Sequence, residues 1–140
     1  MMKSFIAMVL VLFSIAALAE EPVSVSKVFM VERNSGASAD KDAVLVYAEL
    51  CNERGDLLRS YAGVPVDFSV EVYLFENDVL GKLVGKGSAK VKTEVGRPSL
   101  LVRLPDVKKK TRLAAHVTVT LPGGKVLRGR GASYFDPFRY

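Results

Sequence analysis

The chain has 140 residues, 49% hydrophobic and 25% charged, with a formal net charge of +5, one cysteine, one histidine and no tryptophan. That length suits one domain that buries its core without metals or disulfides. The lone Cys51 excludes an intramolecular disulfide, and the lone His116 excludes a histidine-rich metal site.

The first nineteen residues carry Lys3, an apolar run over 5–18 and the ending Ala17-Leu18-Ala19 before two glutamates. This pattern predicts a secretory signal peptide at 1–19, cut between Ala19 and Glu20, and a secreted or periplasmic protein. The rival is an uncleaved membrane anchor, although a spanning helix needs about 20 apolar residues. No cysteine follows the run to accept a lipid. The rest, 20–140, is expected to be a single domain.

Alternation of apolar and polar residues, broken by turn signals, then recurs to the C-terminus. In VSVSKVFMVER the phase changes between Val25 and Val28, which predicts a bulge. The polar loop at 34–42 holds Asn34, Asp40 and Asp42, oxygen donors suited to calcium, but Lys41 intervenes and the spacing of a calcium loop is absent. No metal or other cofactor is expected. AVLVYAELC places Val44, Val46, Ala48 and Leu50 on one face and ends at Cys51, expected to be buried. After the turn signal NERGD, LLRSY at 57–61 reads as a short strand.

VDFSVEVYLFE puts Val66, Phe68, Val70, Val72 and Leu74 on one face, with Asp67, Ser69, Glu71, Tyr73 and Phe75 on the other. The turn ENDVLG follows. Leu83, Gly85, Gly87, Ala89 and Val91 then share a face opposite Lys86, Ser88, Lys90 and Lys92. SLLVRL at 99–104 is another short strand, and Pro65, Pro98 and Pro105 bracket strands without interrupting them. RLAAHVTVTL buries Leu113, Ala115, Val117, Val119 and Leu121 opposite His116, Thr118 and Thr120. About seven strands without crossover helices predict an antiparallel β-sandwich of immunoglobulin or fibronectin type III style. A small closed barrel is the alternative. The FDPFRY ending resembles a barrel's last strand only in part: Asp136 and Pro137 interrupt it, and outward apolar bands are missing.

The last hairpin turns at LPGGK. A two-residue loop would bury Arg128 and Arg130, whereas a loop of Pro122, Gly123 and Gly124 pairs Thr118 with Arg128, His116 with Arg130 and Val119 with Leu127. The pleat and the turn chemistry both select the second register. Gly129 and Gly131 then face inward, as do Gly85 and Gly87. Glycine pairs there imply close backbone approach, a bulge, or room for a large side chain such as Phe68, Leu74 or Phe29. Room for a core side chain is preferred to a ligand cavity, because interiors are densely packed.

The outward residues form a candidate basic surface: Lys86, Lys90, Lys92, Lys108, Lys109, Lys110, Arg112, His116, Arg128, Arg130 and Tyr134, with Arg112 placed to stack on Tyr134. Residues 20–81 hold 5 Lys/Arg against 12 Asp/Glu, and 82–140 hold 14 against 3, which favours an anionic partner; an immunoglobulin-like sandwich would nevertheless mix the two halves. RGRG inside an alternating strand lacks the repeats of a nucleic-acid tract, so nucleic acid is not the expected partner. Catalysis would need a nucleophile and an orienter at His116; Ser133 with Asp136, or Cys51, are the sequence's weak suggestions. The chain reads as a non-catalytic binding or accessory module for a protein or for an anionic envelope component, a glycan or lipid headgroup. The alternatives are a small hydrolase using His116 and a module tethered by its N-terminal segment.

Overall fold

The computed structural model describes residues 20–36 and 41–138; the segment 1–19, with the Ala19 side of the expected cleavage, Asp40 and Tyr140 lie outside them. Seven strands form: β1 (Ser24–Arg33), β2 (Ala43–Cys51), β3 (Pro65–Glu76), β4 (Val79–Lys92), β5 (Ser99–Arg103), β6 (Thr111–Thr120) and β7 (Val126–Phe135). All pair antiparallel, in a three-stranded sheet ordered β1-β2-β5 and a four-stranded sheet ordered β4-β3-β6-β7. The result is an all-β, two-sheet fold. Among the described residues there is no helix, and so none long and apolar enough to cross a membrane.

The core follows the pleat. Val44, Val46, Ala48 and Leu50 of β2, Val66, Phe68, Val70 and Val72 of β3, and Leu113, Ala115, Val117 and Val119 of β6 are all buried in one cluster. Inward residues of both sheets therefore supply the apolar area that stabilises the fold. Cys51 is also buried, and its thiol donates to Ser26 Oγ at 2.9 Å. Ser26 is the extra residue of a bulge between Val25 and Lys27, where the phase of the sequence changes.

Two hairpins carry the four-stranded sheet. Between β6 and β7 the pairs are Thr118–Arg128, His116–Arg130 and Val119–Leu127, the register expected from the three-residue loop. Gly124 there has φ +94°, the left-handed position that closes such a loop without strain on a side chain. Between β3 and β4 the two-residue turn Asn77-Asp78 has φ 54° and 59°, as a type I′ turn requires.

Three sequence expectations need correction. LLRSY is not a strand: Leu57 makes an isolated bridge to Cys51, and the chain then turns, with the Tyr61 N–H donating to the Leu58 carbonyl. Leu58 and Tyr61 are buried, so the apolar residues serve the core without strand pairing. Leu83 does not share the inward face of Gly85, because the β3–β4 register shifts between Val72 and Tyr73; Leu83 pairs with Tyr73 and turns outward. The side chains nearest the glycine pairs are not Phe68, Leu74 or Phe29 but Leu104 and Val102 at Gly85, Leu100 at Gly87, and Val25 and Val28 at Gly129. Phe29 lies on the outer face of the three-stranded sheet, its ring 5.0 Å from that of Tyr47.

The glycines instead mark where the sheet edges meet. The outer strands of the four-stranded sheet lie against the outer strands of the other, β7 beside β1 and β4 beside β5. A Cβ on Gly131 would collide with the Val28 carbonyl oxygen, and one on Gly129 would come 2.5 Å from Val25 Cγ1. On the other side, a Cβ on Gly85 would stand 2.7 Å from the Arg103 carbonyl oxygen. Close backbone approach is thus the reason for Gly131 and Gly85, while Gly129 and Gly87 face side chains of the other sheet.

Candidate functional site

The outer face of the four-stranded sheet is built in rows across β4, β3, β6 and β7. One row reads Lys90, Asp67, Thr120, Val126; the next Ser88, Ser69, Thr118, Arg128; the third Lys86, Glu71, His116, Arg130. The expected basic residues of β4 and β7 therefore do share a face. They form two stripes, however, because Asp67 and Glu71 of β3 lie between them. This is how the fold mixes the acidic and basic halves of the chain. Ser69 and Ser88 hydrogen-bond at 2.9 Å across the first pair of strands. Among the described residues no ion pair involves Lys86, Lys90, Arg128 or Arg130.

Further along the strands the face becomes apolar. Tyr73 pairs with Leu83 and Ala114, Ala114 pairs with Ala132, and Phe75 pairs with Leu80. The two alanines make a low floor between larger neighbours. An open groove of about 520 Å³ results, lined by Phe75, Asp78, Leu80, Ala114, His116, Arg130, Gly131 and Ala132. Its walls thus join an apolar end to a cationic one.

Arg112 pairs with Tyr134 across the strands, with its guanidinium carbon 6.0 Å from the Tyr134 ring centre, as the sequence suggests. It is held more closely by Phe75, at 5.1 Å, and reaches Asp78 Oδ1 at 3.6 Å. His116 lies 5.2 Å from the Tyr73 ring, whose hydroxyl donates to Glu71 Oε2 at 3.0 Å. That hydrogen bond holds the Tyr73 phenol above its ordinary value. Lys110 borders the same region with Asn77, Asp78 and Tyr134; Lys108 and Lys109 precede it, exposed, in the β5–β6 connection. Lys92 lies at the far end of β4, opposite Pro65, away from the groove.

The apolar half of this groove escaped the sequence reading. Tyr73 and Phe75 are visibly in phase with Asp67 and Glu71, and that was the available signal. Leu80 and Leu83 join them only because two register shifts rotate the first part of β4.

The structure does not gather the other side chains suggested for chemistry at His116. Ser133 pairs with Leu113 on the inward phase and its hydroxyl donates to the Tyr134 carbonyl at 3.3 Å. Asp136 accepts the Phe138 N–H at 3.0 Å, and Cys51 is buried in the other sheet. In the polar loop, Asp42 accepts the Ser35 hydroxyl at 2.5 Å and the Ser35 N–H at 2.6 Å, which hold its carboxyl below the ordinary range. Among the described residues no cluster of three His, Cys, Asp or Glu is arranged to hold a metal ion.

The three-stranded sheet presents a different outer face. Phe29 and Tyr47 stack at 25° between ring planes, beside Leu45 and an exposed Leu101. Arg97 donates to Glu49 Oε2 through Nε at 3.0 Å and Nη2 at 2.7 Å. The adjoining Val95 has φ 47°, an outlier for a β-branched residue.

No protein-family model matches the chain, and no curated protein does. Among solved structures, the solution structure of AT1g01470 from Arabidopsis thaliana is similar at 14% identity and a TM-score of 0.49, over 84% of this chain and 82% of that one. The PmoD soluble domain from a Methylocystis species is similar at 9% identity and a TM-score of 0.37, over 76% of this chain and 89% of that one.

Proposed function

We propose that the chain is an exported, non-catalytic β-sandwich module of immunoglobulin-like type that binds an anionic component of the cell envelope. The Lys3-led apolar segment ending at Ala19 supports export, and an intact mass beginning at Glu20 is the expected check. The strand orders β1-β2-β5 and β4-β3-β6-β7, with the chain changing sheets after β2, β4 and β5, support the immunoglobulin-like type.

The binding reading rests on one observation. Arg128 and Arg130 stand side by side on an outer strand, free of ion pairs among the described residues, and Arg130 lines a groove whose other walls are the apolar Phe75, Leu80, Ala114 and Ala132 with Asp78 and His116. Guanidinium groups offer planar, paired donors to carboxylate, sulfate or phosphate oxygens, and an apolar floor adds contact area for the body that carries them. Thr118 and His116, their cross-strand neighbours, add polar groups of either donor or acceptor character.

Crosslinking pull-down from envelope extracts tests the reading. The wild-type chain should retain its partner at low salt and release it as salt rises, and the double variant R128E/R130E should retain little. Equal retention by the charge-reversed chain at every salt concentration would remove the basic face from the function.

A further inference from the structure

We infer that the groove end of the four-stranded sheet docks on an anionic phospholipid bilayer, an inference that rests on the anion-binding reading above and names its partner. The Asn77-Asp78 turn projects the start of β4 outward, where Val79 is 64% and Leu80 44% exposed. Leu83 is 38% and Tyr134 67% exposed around the same end of the sheet. Side chains of this kind gain from entering the headgroup boundary, where Tyr places its ring in the apolar layer and its hydroxyl in water.

The charges beside them complement anionic headgroups. Arg130 lines the groove, Lys110 and Arg112 border its outer end, and Lys108, Lys109 and Lys82 lie exposed in the adjoining chain. Of the acidic side chains here, Asp78 is offset by Arg112 at 3.6 Å, Glu76 accepts the Thr111 hydroxyl at 3.4 Å and Glu71 accepts the Tyr73 hydroxyl at 3.0 Å. The cations without an ion pair among the described residues are therefore Arg130, Lys82, Lys108, Lys109 and Lys110. Each surface cation near an anionic leaflet adds about fivefold to partitioning, from roughly 1 kcal/mol apiece. The other exposed apolar face, around Phe29 and Tyr47, carries Lys27 at one end and Arg33 and Arg103 at the other, with Glu49 and Arg97 neutralising each other between them.

The chain has no tryptophan, so one placed at a chosen position reports on that position alone. In the full chain, Leu80→Trp should shift its emission to the blue on phosphatidylglycerol vesicles and be quenched by brominated acyl chains. It should show neither response on phosphatidylcholine vesicles. Val79→Trp should behave alike, giving a second reporter if the first perturbs the fold. Leu101→Trp, on the three-stranded sheet, should stay unchanged whatever the N-terminal segment does. Adding K108E/K109E/K110E to the Leu80→Trp chain should raise the vesicle concentration for half-maximal shift at least tenfold.

Unaltered emission from positions 79 and 80 on anionic vesicles would overturn the inference, as would an equal shift at position 101. A shift with monomeric short-chain phosphatidylglycerol and none with vesicles would also overturn it, leaving the groove as a small-ligand site. If vesicles fail while R128E/R130E still abolishes partner capture, bilayer docking falls and the anion-binding reading stands. If both fail, both fall.

Discussion

The two sheets of this protein turn unlike faces to solvent. On the four-stranded sheet, charged rows run from Lys90 and Asp67 to His116 and Arg130 before giving way to the Tyr73, Phe75 and Leu80 end. On the three-stranded sheet, the stacked Phe29 and Tyr47 dominate, with one charge pair, Glu49 and Arg97, closing on itself. Both faces satisfy the alternation of a half-buried strand, so exposure alone does not decide what a face attracts. Unpaired cations act over a Debye length of about 8 Å at physiological salt, whereas an apolar patch acts only in contact. On the four-stranded face such cations stand beside a groove, whereas on the other face Lys27, Arg33 and Arg103 stand at the ends, apart from the stacked rings.

On the proposed reading, binding belongs to the outer face of the four-stranded sheet and stability to the packing elsewhere. The largest effect should come from Gly131→Ala, whose new methyl group meets the Val28 backbone, not a yielding side chain. A loss of about 3 kcal/mol, the upper range for overpacking, is expected in denaturant melts. Gly87→Ala, facing only the movable end of Leu100 at 3.0 Å, should cost less than about 1 kcal/mol. Equal losses would show that the sheet edges do not meet as described.

Next in size is the double variant R128E/R130E. It should weaken partner binding at least tenfold, while its melting midpoint stays within the roughly 0.5 kcal/mol usual for surface substitutions. Phe29→Ser should do the converse: it removes the ring stacking, worth about 0.5–1.5 kcal/mol with associated burial on top, and leaves partner affinity unchanged. A loss of binding in that variant would move the functional face to the other sheet.

A smaller effect is expected from Arg112→Ala, which releases contacts to the half-buried Phe75 and to the exposed Tyr134 and Asp78. A double-mutant cycle with Phe75→Leu should read about 0.5–1 kcal/mol of coupling. The smallest concerns Tyr73. Glu71→Ala should lower its titration midpoint in NMR toward the ordinary phenol value, because the lost hydrogen bond favours the protonated form. Since the folded value is raised, that bond stabilises the fold below the ordinary phenol pKa, and its contribution disappears as pH rises through the folded value.

Much of the fold was legible in local patterns. Period-two alternation fixed the inward residues of β2, β3 and β6, and Pro122, Gly123 and Gly124 fixed the β6–β7 register, because a slip of one residue would bury two arginines. The phase change before Val28 located the bulge in β1. Arg128, Arg130 and His116 could be placed together on that basis alone.

The tertiary structure decided what depends on partners distant in the chain. Val28 and Arg103 carbonyls explain Gly131 and Gly85, and neither is near its glycine in sequence. LLRSY had the composition of a strand, but its backbone groups found partners in a turn and at Leu50. The groove formed only when register shifts in β4 turned Leu80 and Leu83 toward the aromatic end of β3. Alternation and turn chemistry are properties of neighbouring residues and survive in any context. Edge approach, bulge placement and the meeting of two apolar rows arise when separate strands compete for the same space, and a linear pattern does not encode which strands will meet.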